Sequence, residues 1–285
     1  VSKKKERRQK PRDVFVARPF EGLPDECEWI ALRELVPAAT AALRLRPEVV
    51  ERFGDRPVLL ATVLPMAWPA MTRTDGQIFI GLQRHDHSGD PSRDLAVALL
   101  CALQTEPGEP VAVPALPGTG PRLQDLLGGD ALDVTLHDSF EFWLADGTGD
   151  DPGVKASLER ANASIYPTVR LAIAPGAYWC RVPDKAHIRW VLAEDEDRAL
   201  DALARLHSTG GLLLGDGTRF AGMFRAHGRL VPVWDLPRDA EAGLWEAPLA
   251  EFGKRYAEAV SSTSDLTPAE RRARQGLVGR QLTLR

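Results

Sequence analysis

The same succession of patterns is written twice along the chain: an amphipathic helix, three extended segments, a second helix and two more extended segments. In the first copy, Trp29, Leu32 and Val36 recur at the helical period behind Asp25, with Glu28 placed three residues on as a capping-box partner and Pro37 as a stop. Extended runs follow at 40–45 and 58–64. Asp75-Gly76 then precedes Ile78-Phe79-Ile80, the residue pair that a tight hairpin turn prefers. Asp90 followed by Pro91 reads as an N-cap with proline at the first helical position, ahead of a stripe of Leu95, Leu99 and Leu103. After a Pro/Gly-rich loop over 105–130 with a short helix near 123–127, Leu132–Leu136 and Phe140–Leu144 alternate as a hairpin about His137-Asp138-Ser139.

The second copy opens at Asp151-Pro152 with a helix to Ala163. An extended run follows at 168–172, then a hairpin of 177–181 with 188–192 across Pro183-Asp184. A helix behind the acidic stretch 194–197 carries Leu200, Leu203 and Leu206, and a last hairpin joins 220–225 to 230–234 through His227-Gly228. Pro232 cannot donate to a ladder, so this strand is expected at a sheet edge. The reading is an α+β fold of two similar α-β-β-β-α-β-β lobes with antiparallel sheets, plus C-terminal helices. Its parts are a disordered basic tail at 1–12, a first lobe at 13–148, a second at 149–262 that includes the helix striped with Trp245, Leu249, Phe252, Tyr256 and Val260, and a basic segment at 263–285.

Charge is distributed unevenly. Residues 1–12 carry Lys3, Lys4, Lys5, Arg7, Arg8, Lys10 and Arg12 against Glu6, a net +6. Residues 265–285 carry five arginines against Asp265 and Glu270, a net +3, so with −4 overall the body at 13–264 holds −13. Seven basic residues in twelve can neutralise phosphates and release counterions, and Arg271, Arg272 and Arg274 on a C-terminal helix can add to them. No aromatic residue interleaves with these, so the readout would be electrostatic and independent of base sequence. RNA, the ribosome or DNA are the expected contacts of the tail, weighed against a merely solubilising extension; the acidic body would take a protein or small ligand.

Several runs resemble an uncharacterised actinobacterial family of unknown function: Phe15-Val16-Ala17-Arg18-Pro19-Phe20, Val63-Leu64-Pro65-Met66-Ala67-Trp68-Pro69, Gly89-Asp90-Pro91-Ser92-Arg93-Asp94, Trp190–Asp197 and Leu266–Arg274. The resemblance implies no activity. Some relatives carry names borrowed from the SecA translocase, but this chain has no GxxxxGK[S/T] loop and no cysteine cluster.

Candidate chemistry is sparse. His85 and His87, with Asp90, are candidate zinc ligands, although Asp90 is equally an N-cap. Gly118-Thr119-Gly120 lacks the third glycine of a dinucleotide loop and is flanked by prolines, so it reads as a plain loop and no cofactor is expected. No GxSxG elbow occurs. Trp68, between Pro65 and Pro69, is a candidate pocket residue. Three scattered cysteines suit a reducing compartment, and neither a secretory signal nor a run of about 20 apolar residues is present, so the expectation is a cytoplasmic protein without membrane insertion. It reads as a non-catalytic binding protein, the alternative being an enzyme or ligand-binding protein with its site between the lobes.

Overall fold

A computed structural model describes residues 15–85, 88–145, 147 and 149–279. Helix α1 (Glu26–Glu34) is followed by β1 (Ala39–Leu43), α2 (Pro47–Phe53), β2 (Val58–Val63), β3 (Ala70–Thr72) and β4 (Ile78–Gln83). Then come α3 (Pro91–Leu103), α4 (Leu123–Leu126) and β5 (Val134–Leu136). The first sheet has the order β3-β4-β2-β1-β5. Asp90 caps α3 as expected, accepting from the Arg93 N–H, and the Asp75-Gly76 turn pairs β3 antiparallel with β4.

The second half comprises α5 (Pro152–Asn162), β6 (Thr168–Arg170), β7 (Ala177–Val182), β8 (Lys185–Trp190), α6 (Glu196–Ser208), β9 (Arg219–Ala226) and β10 (Arg229–Leu236). Helices α7 (Glu246–Ser261) and α8 (Pro268–Val278) close the described chain. The second sheet runs β6-β7-β8-β10-β9. The fold is thus α+β, with two five-stranded sheets rich in antiparallel pairs.

The two sheets match in spatial order, β5-β1-β2-β4-β3 against β6-β7-β8-β10-β9, only when β5, the last strand of the first half, is set against β6, the first of the second. Their strand directions differ at one place. β2 and β4 run parallel, from Val58↔Ile78 to Val63↔Gln83, so the first sheet is not wholly antiparallel as expected. The reason is connectivity. Residues 64–69 carry the chain from β2 past the position of β4 to the edge, where β3 turns back into β4, whereas α6 intervenes between β8 and β9 and β8 meets β10 antiparallel.

Three local expectations fail, each for a tertiary reason. Asp25 takes a left-handed conformation (φ 55°) and its side chain caps no helix N–H; Oδ2 accepts instead from Leu132 N at 3.1 Å, so the Asp25–Glu28 capping box does not form. Phe140–Leu144 is a 3-10 turn rather than a strand, because Phe140 stacks on Trp143 (centroids 4.2 Å apart) and Trp143 Nε1 donates to Val63 O. That turn lays Phe142 and Trp143 over Ala61, Leu64 and Phe79 on the outer face of the first sheet. Helix α2, begun by Pro47 at its first turn, is an element to which the sequence reading assigned nothing. Pro232 sits in an interior strand, not an edge one. Its missing N–H is tolerated because the β8 ladder begins one residue later, at Val233.

The layering determines where function can reside. One core joins Trp29, Ile30 and Leu32 of α1 to β1, β2, β4 and α3, and also to Tyr178, Phe224, Val231 and Val233 of the second sheet and to Val191 just past β8. Helix α1 is therefore packed between the two sheets. A second core fills the opposite face of the second sheet, where Trp179, Ile188 and Trp234 meet α6, α7 and α8. Leu249, Phe252 and Tyr256 of the C-terminal stripe are buried there as expected. No helix among the described residues is long and apolar enough to cross a membrane.

Candidate functional site

Three carboxylates of α1 reach the seam between the sheets. Glu28 is fully buried; it accepts from Gly176 N at 2.9 Å, Tyr178 OH at 2.7 Å and Arg170 Nε at 2.9 Å. Gly176 is positioned for this by a positive φ (73°) and by its closeness to α1, since a Cβ there would meet Cys27 Cβ and O at 3.0 Å. Burial and the Glu28 carboxylate push the Tyr178 phenol well up, so it stays a donor. Glu26 accepts from Arg18 and Arg229, both at 2.8 Å. Burial alone would raise the Glu26 carboxyl, but the two guanidinium groups outweigh it and hold it below the ordinary range. The Cys27 thiol between them is pushed up to about 11 by burial, which leaves it protonated and unreactive.

Glu34, at the far end of α1, meets His227 Nε2 at 2.9 Å and Arg33 Nε at 3.3 Å. Burial again works upward, and His227 and Arg33 bring this carboxyl below its usual value. His227 occupies the two-residue turn between β9 and β10 with φ 47°, followed by Gly228 with φ 79°. Two successive positive φ values are the hairpin geometry that favours Asn-Gly. At Gly228 a Cβ would come within 2.9 Å of Ala17 O, because residues 15–18 cross over the turn.

The centre of the seam is filled, and grooves open on its flanks. A cleft of about 730 Å³ is walled by Phe15, Arg33, Glu34, Ser88, Arg225 and His227. On the other flank, a groove of about 600 Å³ runs past Ala38, His137, Tyr166 and Val169. There His137 Nε2 lies 2.9 Å from Thr40 Oγ1, and burial lowers its basicity. A third groove, about 790 Å³, lies within the first half beside Trp29, Arg44, Glu51 and Asp130.

The residues singled out in the sequence do not converge. Lys3, Lys4, Lys5, Arg7, Arg8, Lys10, Arg12 and His87 lie outside the described residues. His85 is exposed, and Asp90 is engaged with Arg122 at 3.0 Å. Among the described residues, no group of three or more His, Cys, Asp or Glu is placed to hold a metal ion. Trp68 is 47% exposed beside Met66, itself 76% exposed, on a turn where Met66 and Ala67 both take positive φ. Arg274 is tied to Asp201 and Asp197 of α6, both at 2.7 Å, Arg271 donates to Leu266 O, and Arg272 is exposed. The Glu34–His227 pair was not foreseen. Its one sequence signal was a histidine in a hairpin turn where asparagine is the usual residue.

A model of a family of unknown function matches residues 19–285. The chain belongs to that family, DUF5926. No curated protein and no solved structure matches this DUF5926 chain. The family carries no activity across to these residues, so the functional reading of this DUF5926 member rests on its own geometry.

Proposed function

We propose that this is a non-catalytic, cytoplasmic accessory protein whose rigid acidic body is tethered to RNA, the ribosome being the favoured host, through its basic N-terminal residues. The observation that supports this is the separation of charge, +6 over residues 1–12 against −13 over 13–264. Such a body is repelled by phosphates while its tail is drawn to them. Arg274 is spent on α6, so the C-terminal arginines contribute less than their number suggests. The filled seam agrees with a body that presents surfaces rather than one that opens and closes.

The test is co-sedimentation with RNA and ribosomes across a salt series. It compares wild type with a full-length variant in which the seven basic residues of 1–12 are changed to glutamine. Engagement of all seven with single-stranded RNA gives a log–log salt slope of roughly −5, and the variant loses it. Equal binding by both proteins would sink the proposal. A second reading, small-ligand binding at the seam, is favoured by the Glu34–His227 pair on the wall of the 730 Å³ cleft, a volume ordinary for small-molecule sites.

A further inference from the structure

The groove of about 790 Å³ opens where β1 loses its neighbour. β5 leaves β1 at Ala41↔Val134, and Leu45 meets Leu127 only further on. On this side of β1, Ala38 O accepts from His137 N and Arg44 O from Gly128 N. By the alternation of a strand, Ala42 turns its own N–H and C=O the same way, and no described residue meets them there. The floor of the groove is apolar: Trp29, Leu45, Leu127 and Leu132 are buried, and Leu43 and Val50 are half-buried.

The rim is acidic. Glu51, Asp55 and Asp133 are exposed, and none makes an ion pair or a side-chain hydrogen bond with a described residue. Asp130 is paired with Arg44 at 3.2 Å. Arg56, the other cation of the lining, points its guanidinium at the carbonyls of Ala102, Leu103 and Thr105 where α3 ends. The lining thus holds four carboxylates against two guanidinium groups. Just outside it, Glu48 and Asp125 equal Arg46 and Arg52 in number, so they leave the excess as it is. Such a rim repels phosphate and attracts cationic side chains.

We infer that the groove docks the chain's own basic N-terminal segment, residues 1–12, beside Ala42. The segment carries the complementary charge, +6. It also has the reach. Leu23 lines the groove and stands eight residues after Phe15, so the two are at most about 29 Å apart. The fourteen residues before Phe15 extend to roughly 46–50 Å, which brings Lys3, Lys4, Lys5 and Arg7 within range. Their aliphatic stems cover the apolar floor while their charged heads meet Glu51, Asp55 and Asp133. The inference goes beyond the RNA reading and does not rest on it. If both hold, groove and RNA compete for the same cations, and the body masks its own tether until RNA displaces it.

The experiment is fluorescence anisotropy of a labelled, C-terminally amidated peptide of residues 1–12, titrated with full-length proteins in the absence of RNA. The variant with glutamines at the seven basic positions of 1–12 frees the groove and is expected to bind the peptide at roughly 100 μM or tighter. In wild type the tethered segment competes at a local concentration of roughly 1 mM, which weakens the peptide about tenfold. Adding Glu51→Gln, Asp55→Asn and Asp133→Asn to the glutamine variant also weakens it about tenfold. All three positions are exposed, so the fold is expected to persist. Adding Glu159→Gln, Asp216→Asn and Asp239→Asn instead, at exposed carboxylates outside the groove lining, changes affinity by less than about twofold. No binding to the glutamine variant at millimolar peptide, or an equal loss in the two neutralised sets, overturns the groove as the site. Equal affinity in wild type and the glutamine variant overturns the tail as its occupant. Because the peptide is read without RNA, failure here is told apart from failure of the RNA tether.

Discussion

Replacing Glu28 by alanine separates two structures that otherwise support each other. Its carboxylate, with no solvent exposure, satisfies Gly176 N–H and Tyr178 O–H in buried surroundings and Arg170 at the edge. The variant leaves two buried donors without acceptors, each costing about 1–3 kcal/mol. Arg170 is 39% exposed and can turn to water, so the stranded charge adds little. The total is about 2–6 kcal/mol. In a chain of this length that lowers Tm by on the order of 10 °C. Glu28→Gln keeps the shape but turns an amide toward one of the donors, and costs about 1–3 kcal/mol. Urea unfolding followed by tryptophan fluorescence measures both. A double-mutant cycle with Tyr178→Phe should return a coupling of about 1 kcal/mol or more. An alanine variant within about 0.5 kcal/mol of wild type would refute the claim that Glu28 holds the seam.

Acid should destabilise the fold in two stages. His137 and His187 are harder to protonate in the folded chain, burial being the main cause, so their contribution is complete above about pH 6.5 and is lost as pH falls below it. Glu26, Glu34 and Asp235 have lowered values, so theirs is complete above about pH 4.5 and is lost beneath that; urea midpoints across pH should fall accordingly, and Glu34→Gln should flatten the lower stage. Gly176→Ala, with a positive φ and Cys27 at 3.0 Å, should cost about 1–3 kcal/mol in the same unfolding assay. At pH 8, Cys27 and Cys180, both buried with raised thiols, should resist a disulfide-exchange reagent until urea unfolds the chain. Arg274→Ala should lose about 0.5–1 kcal/mol and leave RNA co-sedimentation unchanged, since its partners are Asp197 and Asp201.

Elements whose signals are local were legible in the sequence. Asp90-Pro91 makes the same cap whatever surrounds it, and Asp75-Gly76 closes its turn from its own backbone preferences. The Leu200–Leu203–Leu206 stripe needed only an apolar surface to face. Misreadings arose where a residue serves a distant partner. Glu28 sits at a capping-box position but is drawn to Tyr178, 150 residues away. Phe140, Phe142 and Leu144 alternate like a strand, yet aromatic stacking and the bond from Trp143 to Val63 favour a turn. Pro232 obeys the edge-strand rule only in the sense that its missing N–H lies just before the pairing with β8 begins. For the site, one member could be suspected from its place in a hairpin. The other, Glu34, looked like one more charge on an amphipathic helix, and 193 residues separate the two.

The position of α1 between the sheets also sets a timetable for the nascent chain. Glu28 leaves the ribosome early, and its partners Arg170, Gly176 and Tyr178 follow some 142 to 150 residues later. At ordinary elongation rates that interval is roughly 8–30 s. Throughout it, the helix must keep a carboxylate hydrated on the flank that will be sealed last, while Trp29, Ile30 and Leu32 can already dock on the first sheet. The acidic flank thus holds open a surface that an apolar residue would have glued to the wrong partner, and synthesis of the second sheet is the event that closes it.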